Sequence, residues 1–208
     1  CRLHICWIKF DEMNKMAAEI KIVEEAKKPL AMNPQKFAVW LFCVSVLMIF
    51  GALTSAYIVR QAEGNWLVFE LPQLFWINTG VILASSITMQ WAYVAAKRDN
   101  LELVKIATVI TSILGISFLV GQFLAWGDLV DQKIYLVGNP SGSFVYIISG
   151  LHGLHIVGGV VFLLILLGST FKYKVHSKSL NRIEMCATYW HFLGGLWLYL
   201  FVFLLYFR

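Results

Sequence analysis

The chain has 208 residues, of which 59% are hydrophobic and 14% are charged, with a mean hydropathy of +0.71. A soluble domain of this size carries about 25% charged residues, so the composition excludes an ordinary soluble protein and indicates an integral membrane protein. The formal net charge of +5 does not indicate a nucleic-acid-binding protein, because the Lys and Arg residues lie between apolar segments rather than in one patch.

Residues 1–36 precede the first apolar segment and are predicted to form a solvated arm on the cytoplasmic side. Five Lys and three Glu fall between positions 13 and 36. The first residue is Cys1, and the segment that follows lacks the shape of a signal peptide. A processed start, a lipidated Cys1 and an over-extended gene model are the alternatives, and we favour the last, with translation starting at Met13.

Five apolar segments of at least 22 residues follow this arm. A helix rises 1.5 Å per residue, so each segment is long enough to cross a hydrocarbon core about 30 Å thick. None alternates with the period of two that β-barrels need, and none is interrupted as in transporters with broken helices. Residues 37–208 are therefore predicted to form an all-α, polytopic membrane domain with five transmembrane helices in one bundle. The predicted spans are 37–59, 75–96, 104–126, 144–167 and 186–207.

The basic residues predict the orientation of these spans. Fourteen of the 17 Lys and Arg residues lie on one side of the five segments. The exceptions are Arg60, Lys133 and Arg208. By the positive-inside rule, the N-terminus is cytoplasmic and the C-terminus extracytoplasmic. The sizeable outer connection, 127–143, carries Asp128 and Asp131, which we expect to be solvated.

Three histidines lie inside the predicted spans and are the candidates for chemistry. His152 and His155 are three residues apart and share a helix face, while His191 lies in the last span. Neutral imidazole is a common ligand of haem iron and of metals, so one hypothesis is a small haem- or metal-binding membrane protein that uses His155 and His191. The spans offer no Asp or Glu to support a metal ligand, and the four cysteines form no ligand cluster.

The competing hypothesis is that the intramembrane polar residues are structural. His152, His155, His191 and Gln122 would then hydrogen-bond between helices or line a polar cleft that holds a lipid head-group or water. A channel or transporter subunit is a further alternative, but it would show polar residues repeated along one face of several spans. Only the second and fourth segments come near that pattern.

Basic and aromatic residues converge at the predicted inner interface, between the fourth and fifth spans. They are Lys172, Lys174, His176, Trp190 and His191. Each Lys near the surface contributes about 1 kcal/mol to holding an acidic lipid, and Trp190 would cover the upper acyl chain. Such a cluster suits an anionic or zwitterionic phospholipid head-group, which is one hypothesis for it. The alternative is that Lys172 and Lys174 only set the topology.

Several sequence motifs resemble one membrane-protein family. The motifs are Trp-Leu-Phe at 40–42, His-Gly-Leu-His at 152–155 with Gly158 and Gly159, and Trp-His-Phe at 190–192 with Trp197. In this order and spacing they resemble the first, penultimate and last core helices of subunit III of haem-copper respiratory oxidases, and the match runs from about residue 37 to the end. The five predicted spans are similar to the short bacterial form, which lacks the first two of seven helices.

The resemblance implies a non-catalytic subunit without cofactors, with the haems and copper in partner subunits. It implies packing against catalytic subunit I and other oxidase subunits, support of proton uptake, bound phospholipid and a bacterial inner membrane. It is compatible with membership of a larger respiratory supercomplex. Two positions depart from the family pattern: Val46 stands where a buried Glu is common, and Gly194 stands where an Asp is common. The resemblance therefore implies no role for a carboxylate at position 46 or 194.

Overall fold

The computed structural model describes residues 33–171 and 178–207, with only the backbone described for Phe171 and residues 178–180. These residues form five α-helices and contain no β-strand. The helices are α1 (Pro34–Ala62), α2 (Gln73–Lys97), α3 (Leu101–Asp131), α4 (Pro140–Phe171) and α5 (Lys178–Phe207). Each helix contains one predicted span, so the all-α prediction is confirmed for the described part of the chain.

Four of the five helices are long and apolar enough to cross a membrane. They are α1, α3, Pro140–Thr170 of α4 and Asn181–Phe207 of α5. The 25 residues of α2 would reach about 37 Å at 1.5 Å per residue. Its composition is more polar, because Asn, Gln, Ser and Thr side chains interrupt the apolar sequence. Length and composition therefore identify four candidate spans, and whether α2 is a fifth depends on how it packs.

The loop between α3 and α4 is shorter than the predicted outer connection. Helix α3 continues through Asp131, so both carboxylates of that connection lie in its last turns, and only residues 132–139 join the two helices. Asn139 caps α4 by accepting the Ser141 N–H at 2.9 Å, and Pro140 occupies the first helical position, where its missing N–H costs nothing. The Asn139 Nδ2 group also donates to the Asn65 carbonyl at 3.3 Å, which ties this loop to the α1–α2 loop.

Helices α2, α3, α4 and α5 form a ring in which each packs closely against two others. A three-residue turn, 98–100, joins α2 to α3. Asn100 caps α3 by accepting the Leu103 N–H at 3.4 Å. The interior of the ring is filled by large apolar side chains, among which Trp190 and Trp197 of α5 are almost completely buried. This ring is the packed core of the described protein.

Helix α1 lies outside the ring and against α4 and α5. None of its Cα atoms comes within 8 Å of a Cα atom of the other four described helices. Its contacts are made by long side chains, such as Phe50, whose ring lies 5.7 Å from the His155 ring, and Tyr57, whose ring lies 5.1 Å from Phe203. The single five-helix bundle of the prediction is thus a four-helix ring with a fifth helix at its side.

Candidate functional site

The polar side chains of α2 are held by the ring helices around it. The Trp190 indole N–H donates to Ser85 Oγ at 3.1 Å, and the Trp197 indole N–H donates to Thr79 Oγ1 at 3.1 Å. Both bonds join α5 to α2. On the other side, the Thr88 and Thr111 hydroxyls of α2 and α3 lie 2.8 Å apart. Hydrogen bonds of this kind let a polar helix pack in an apolar surrounding.

The three histidines have different environments. His191 Nε2 lies 3.1 Å from Gln90 Oε1, which is a hydrogen bond between α5 and α2. His155 Nδ1 lies 2.7 Å from the Leu151 carbonyl of its own helix. Of the three histidines, His191 is the one whose imidazole bonds to another described helix.

His152 is fully buried and is enclosed by aromatic rings. The Phe50, Phe118 and Trp197 rings lie 6.3, 6.0 and 5.1 Å from its ring centroid. Neither ring nitrogen has a hydrogen-bond partner in the described protein. Gln122 is similarly buried, and neither its Oε1 nor its Nε2 has such a partner.

The geometry does not favour the haem hypothesis. His155 packs against Phe42 and Phe50 of α1, whereas His191 bonds to Gln90 of α2. The two imidazoles are thus directed at different helices and do not form a facing pair of axial ligands. Residues 33–171 and 178–207 also contain no group of three or more His, Cys, Asp or Glu that could hold a metal ion.

A groove of about 380 Å³ lies between α1 and the adjacent faces of α4 and α5. It is lined by Ala38, Val39, Phe42, Gly158, Phe162 and Tyr189. The lining is almost wholly apolar and the groove is open at its side, so it suits an acyl chain. The Tyr189 hydroxyl donates to the His155 carbonyl at 3.3 Å and so fixes one wall.

The two described residues of the predicted lipid site, Trp190 and His191, do not line this groove. Trp190 is 1% exposed and points into the ring toward Ser85, so its indole is not available to an acyl chain in the groove. Its neighbour Tyr189 lines the groove instead. His191 is directed toward α2, away from the groove. Lys172, Lys174 and His176 lie outside the described residues.

Comparison with known proteins places this arrangement in a family. The family model described as cytochrome c oxidase subunit III matches residues 5–208 of the chain. The chain is 31% identical over 176 residues to a probable cytochrome c oxidase subunit 3 of Mycobacterium tuberculosis H37Rv, covering 82% of this chain and 85% of the relative.

Two further relatives are similar along most of the chain. A probable cytochrome c oxidase subunit 3 of Nocardia farcinica is 32% identical over 172 residues, covering 78% of this chain and 82% of the relative. A cytochrome bo(3) ubiquinol oxidase subunit 3 of Buchnera aphidicola is 25% identical over 181 residues, covering 85% of this chain and 95% of the relative. With the sequence motifs and the helical membrane fold, these matches show that the chain belongs to the cytochrome c oxidase subunit III family.

Proposed function

We propose that this chain is the non-catalytic, cofactor-free subunit III of a proton-pumping terminal oxidase, where it stabilises catalytic subunit I and its proton uptake and holds structural phospholipid. Family membership carries the proposal. The side chains support it, because buried polar groups of α2 and α5 hydrogen-bond to each other. The Trp190 indole donates to Ser85, and the Trp197 indole donates to Thr79. The relatives' names include both cytochrome c and ubiquinol oxidases.

The experiment is purification of the complex in mild detergent through a tag on this chain. We expect the catalytic subunit to co-purify, together with its haem absorption. The chain expressed alone should show no Soret band. A Soret band that is present in the isolated chain and lost in His155→Ala and His191→Ala variants would replace this proposal with the haem-binding alternative.

The second part of the proposal is the topology: five spans in a bacterial inner membrane, with the N-terminus cytoplasmic. Support comes from α2, whose polar groups bond to α3 and α5 while apolar residues such as Trp76, Ile77 and Ile87 remain exposed. That pattern suits a span that shows its apolar side to lipid. The distribution of basic residues supports the orientation.

A reporter fused after Arg208 tests this topology. Five spans place the C-terminus opposite the N-terminus, so the reporter should be extracytoplasmic. If α2 does not cross the membrane, four spans return the C-terminus to the cytoplasmic side. A cytoplasmic reporter signal would therefore contradict the five-span topology.

The third part of the proposal is that the groove beside α1 holds one acyl chain of a phospholipid. Phe162, which lines the groove, lies nine residues before Phe171, where α4 ends, or roughly 13 Å along the axis. Lys172 and Lys174 follow directly in the sequence. Basic residues that follow the end of α4 in the sequence are suited to an anionic head-group.

Filling the groove tests the lipid proposal. Gly158 lines it, and a Cβ added there would have only the Tyr189 hydroxyl nearby, at 3.9 Å. Gly158→Leu should therefore occupy the groove without a clash. Gly168→Leu is the matched control on the same helix, because Gly168 is exposed and has nothing within 4 Å.

The readout is the number of phospholipids retained by the purified complex, measured by mass spectrometry alongside the lifetime of turnover. We expect Gly158→Leu to lower both and Gly168→Leu to lower neither. The double change of Lys172 and Lys174 to Gln should lower the retention of acidic lipid. If lipid retention and activity lifetime in Gly158→Leu and in the double variant match those of the unmodified complex, the groove is not a lipid site and the lysines only set topology.

A further inference from the structure

A layer of buried polar side chains lies inside the ring of helices, and several of their atoms have no hydrogen-bond partner among the described residues. Asn78 of α2, Gln122 of α3 and His152 of α4 are each at most 2% exposed. Five of their nitrogen and oxygen atoms have no hydrogen-bond partner in the described protein. These atoms are Asn78 Nδ2, Gln122 Oε1, Gln122 Nε2, His152 Nδ1 and His152 Nε2. Buried polar groups in folded proteins are nearly always paired with protein atoms or with ordered water, so this concentration requires an explanation.

The part of α3 that carries Gln122 packs against the part of α4 that carries His152. Phe118 is one helical turn before Gln122 on the same face of α3, and its ring packs 6.0 Å from the His152 ring. Trp126 is one turn after Gln122, and its indole N–H donates to Ser149 Oγ at 3.0 Å. Gln122 is thus confined between two α3–α4 contacts, one of which is made by His152 itself.

Asn78 reaches the same level from α2. A Cβ placed on Gly121 would lie 2.1 Å from Asn78 Oδ1, so the Asn78 amide group packs on the α3 backbone directly beside Gln122. The neighbouring Thr79 accepts from the Trp197 indole, and the Trp197 ring lies 5.1 Å from His152. The three residues are thus linked through shared neighbours: Gly121 lies beside Gln122 and against Asn78, and Trp197 of α5 contacts both Thr79 and His152.

We propose that this layer is a binding site for one or two water molecules, held between Gln122 and His152 with the Asn78 amide as a further donor. A neutral imidazole has one donor and one acceptor, and a Gln side chain has both functions, so a water molecule can accept from one residue and donate to the other. Buried water typically makes about three hydrogen bonds to such groups.

Other occupants match the layer less well. It has no carboxylate, so it lacks the charge that a buried cation needs. It offers two imidazole nitrogens on one ring, which cannot bind one metal together, and amide groups are poor ligands for a transition metal. Water needs only neutral donors and acceptors, and the layer supplies both. The site lies inside the ring and is distinct from the apolar groove beside α1.

The direct test is an electron cryomicroscopy map of the whole oxidase complex at a resolution that shows ordered water. We expect a peak within hydrogen-bond distance of both the Gln122 amide and a His152 nitrogen, about 2.7 to 3.2 Å. A direct hydrogen bond between the two side chains with no peak beside them would overturn the proposal. So would a dry layer in which the five atoms remain unpaired.

Hydroxyl-radical labelling of the same complex gives an independent readout, because radicals formed from bound water oxidise the side chains beside it. Trp197 and Trp190 are both 1% exposed, but only Trp197 contacts the layer, whereas Trp190 bonds to Ser85. We expect Trp197 to be labelled several-fold faster than Trp190. Equal, slow labelling of the two indoles would contradict a hydrated layer.

The combined Gln122→Leu, His152→Phe variant removes the two anchors while keeping apolar volume in their place. Replacing both polar partners avoids leaving one of them unpaired. The water peak and the excess labelling of Trp197 should both disappear, while Ser117→Ala, an exposed change on α3, should leave both intact. Persistence of the excess labelling in the double variant would show that the layer is not its source. The labelling ratio in the unmodified complex decides the question even if this variant does not assemble.

Discussion

Helices α2 and α1 are both attached to α5, but in opposite ways. α2 packs so closely within the ring that a Cβ on Gly121 of α3 would overlap Asn78, and its hydroxyl groups bond directly to the tryptophans of α5. α1 keeps every Cα atom more than 8 Å from those of the other described helices. Within lipid, helices associate through close packing and hydrogen bonds rather than through the hydrophobic effect. Helix α2, the least apolar of the five, is therefore attached to its neighbours more firmly than α1.

The distance of α1 from the ring has a structural consequence. Its bonds to α5 are made by side chains, such as Thr54 to the Tyr199 hydroxyl at 3.0 Å and Tyr57 to the Phe207 carbonyl at 3.3 Å. These contacts lie toward the C-terminal end of α1. The groove lies toward its other end, where Ala38, Val39 and Phe42 face α4 and α5. At this end, α1 contacts α4 and α5 through the Phe42 ring, and the groove beside that ring is where the proposed acyl chain would lie.

The largest expected effect is the loss of a ring tryptophan. Trp190→Ala should lower the free energy of unfolding by about 3 to 5 kcal/mol, because a large buried side chain leaves a cavity and Ser85 loses its donor. The matched change on α1, Trp40→Ala, should cost less than about 0.5 kcal/mol, since Trp40 is 59% exposed. Unfolding by SDS in mixed micelles measures both. Equal losses would erase the distinction between the ring and α1.

The second effect concerns the close approach of α2 and α3. Gly121→Leu should force the two helices apart, because even a Cβ would lie 2.1 Å from Asn78 Oδ1, and overpacking of this kind costs about 1 to 3 kcal/mol. Gly127→Leu is the control on the same helix, where a Cβ has nothing within 4 Å. The fraction of chain that stays with the complex after a detergent wash reports the difference. If both variants are retained to the same extent, the α2–α3 approach is not as tight as described.

The smallest effect concerns the side-chain attachment of α1. Thr54→Val keeps the shape but removes the hydroxyl that meets Tyr199, and hydrogen bonds between membrane helices contribute about 0.6 kcal/mol on average. Thr170→Val should change the free energy of unfolding less, because the Thr170 hydroxyl bonds to the Leu166 carbonyl of its own helix. Unfolding by SDS titration measures the free energy of unfolding of both variants. A loss above about 2 kcal/mol in Thr54→Val would mean that α1 depends on this one bond.

The three histidines illustrate why side-chain roles were harder to predict than spans. The sequence places all three in predicted spans. His191 bonds to α2, His155 bonds to its own helix, and His152 is enclosed by aromatic rings with no hydrogen-bond partner among the described residues. The adjacent aromatic residues Tyr189 and Trp190 were also hard to assign from the sequence. Successive helix positions are about 100° apart, so two adjacent aromatics face different neighbours, and only the positions of those neighbours decide which one lines the groove.

The sequence by itself determined the apolar segments, the helical class and the family motifs. Those features depend on chain length, local composition and spacing, which need no knowledge of neighbouring helices. Tertiary structure decided that α2 to α5 form the ring, that α1 lies beside it, and that Trp190 turns inward while Tyr189 lines the groove. These outcomes depend on how small residues such as Gly121 let particular helices approach, and helix contacts of this kind join residues far apart in the chain.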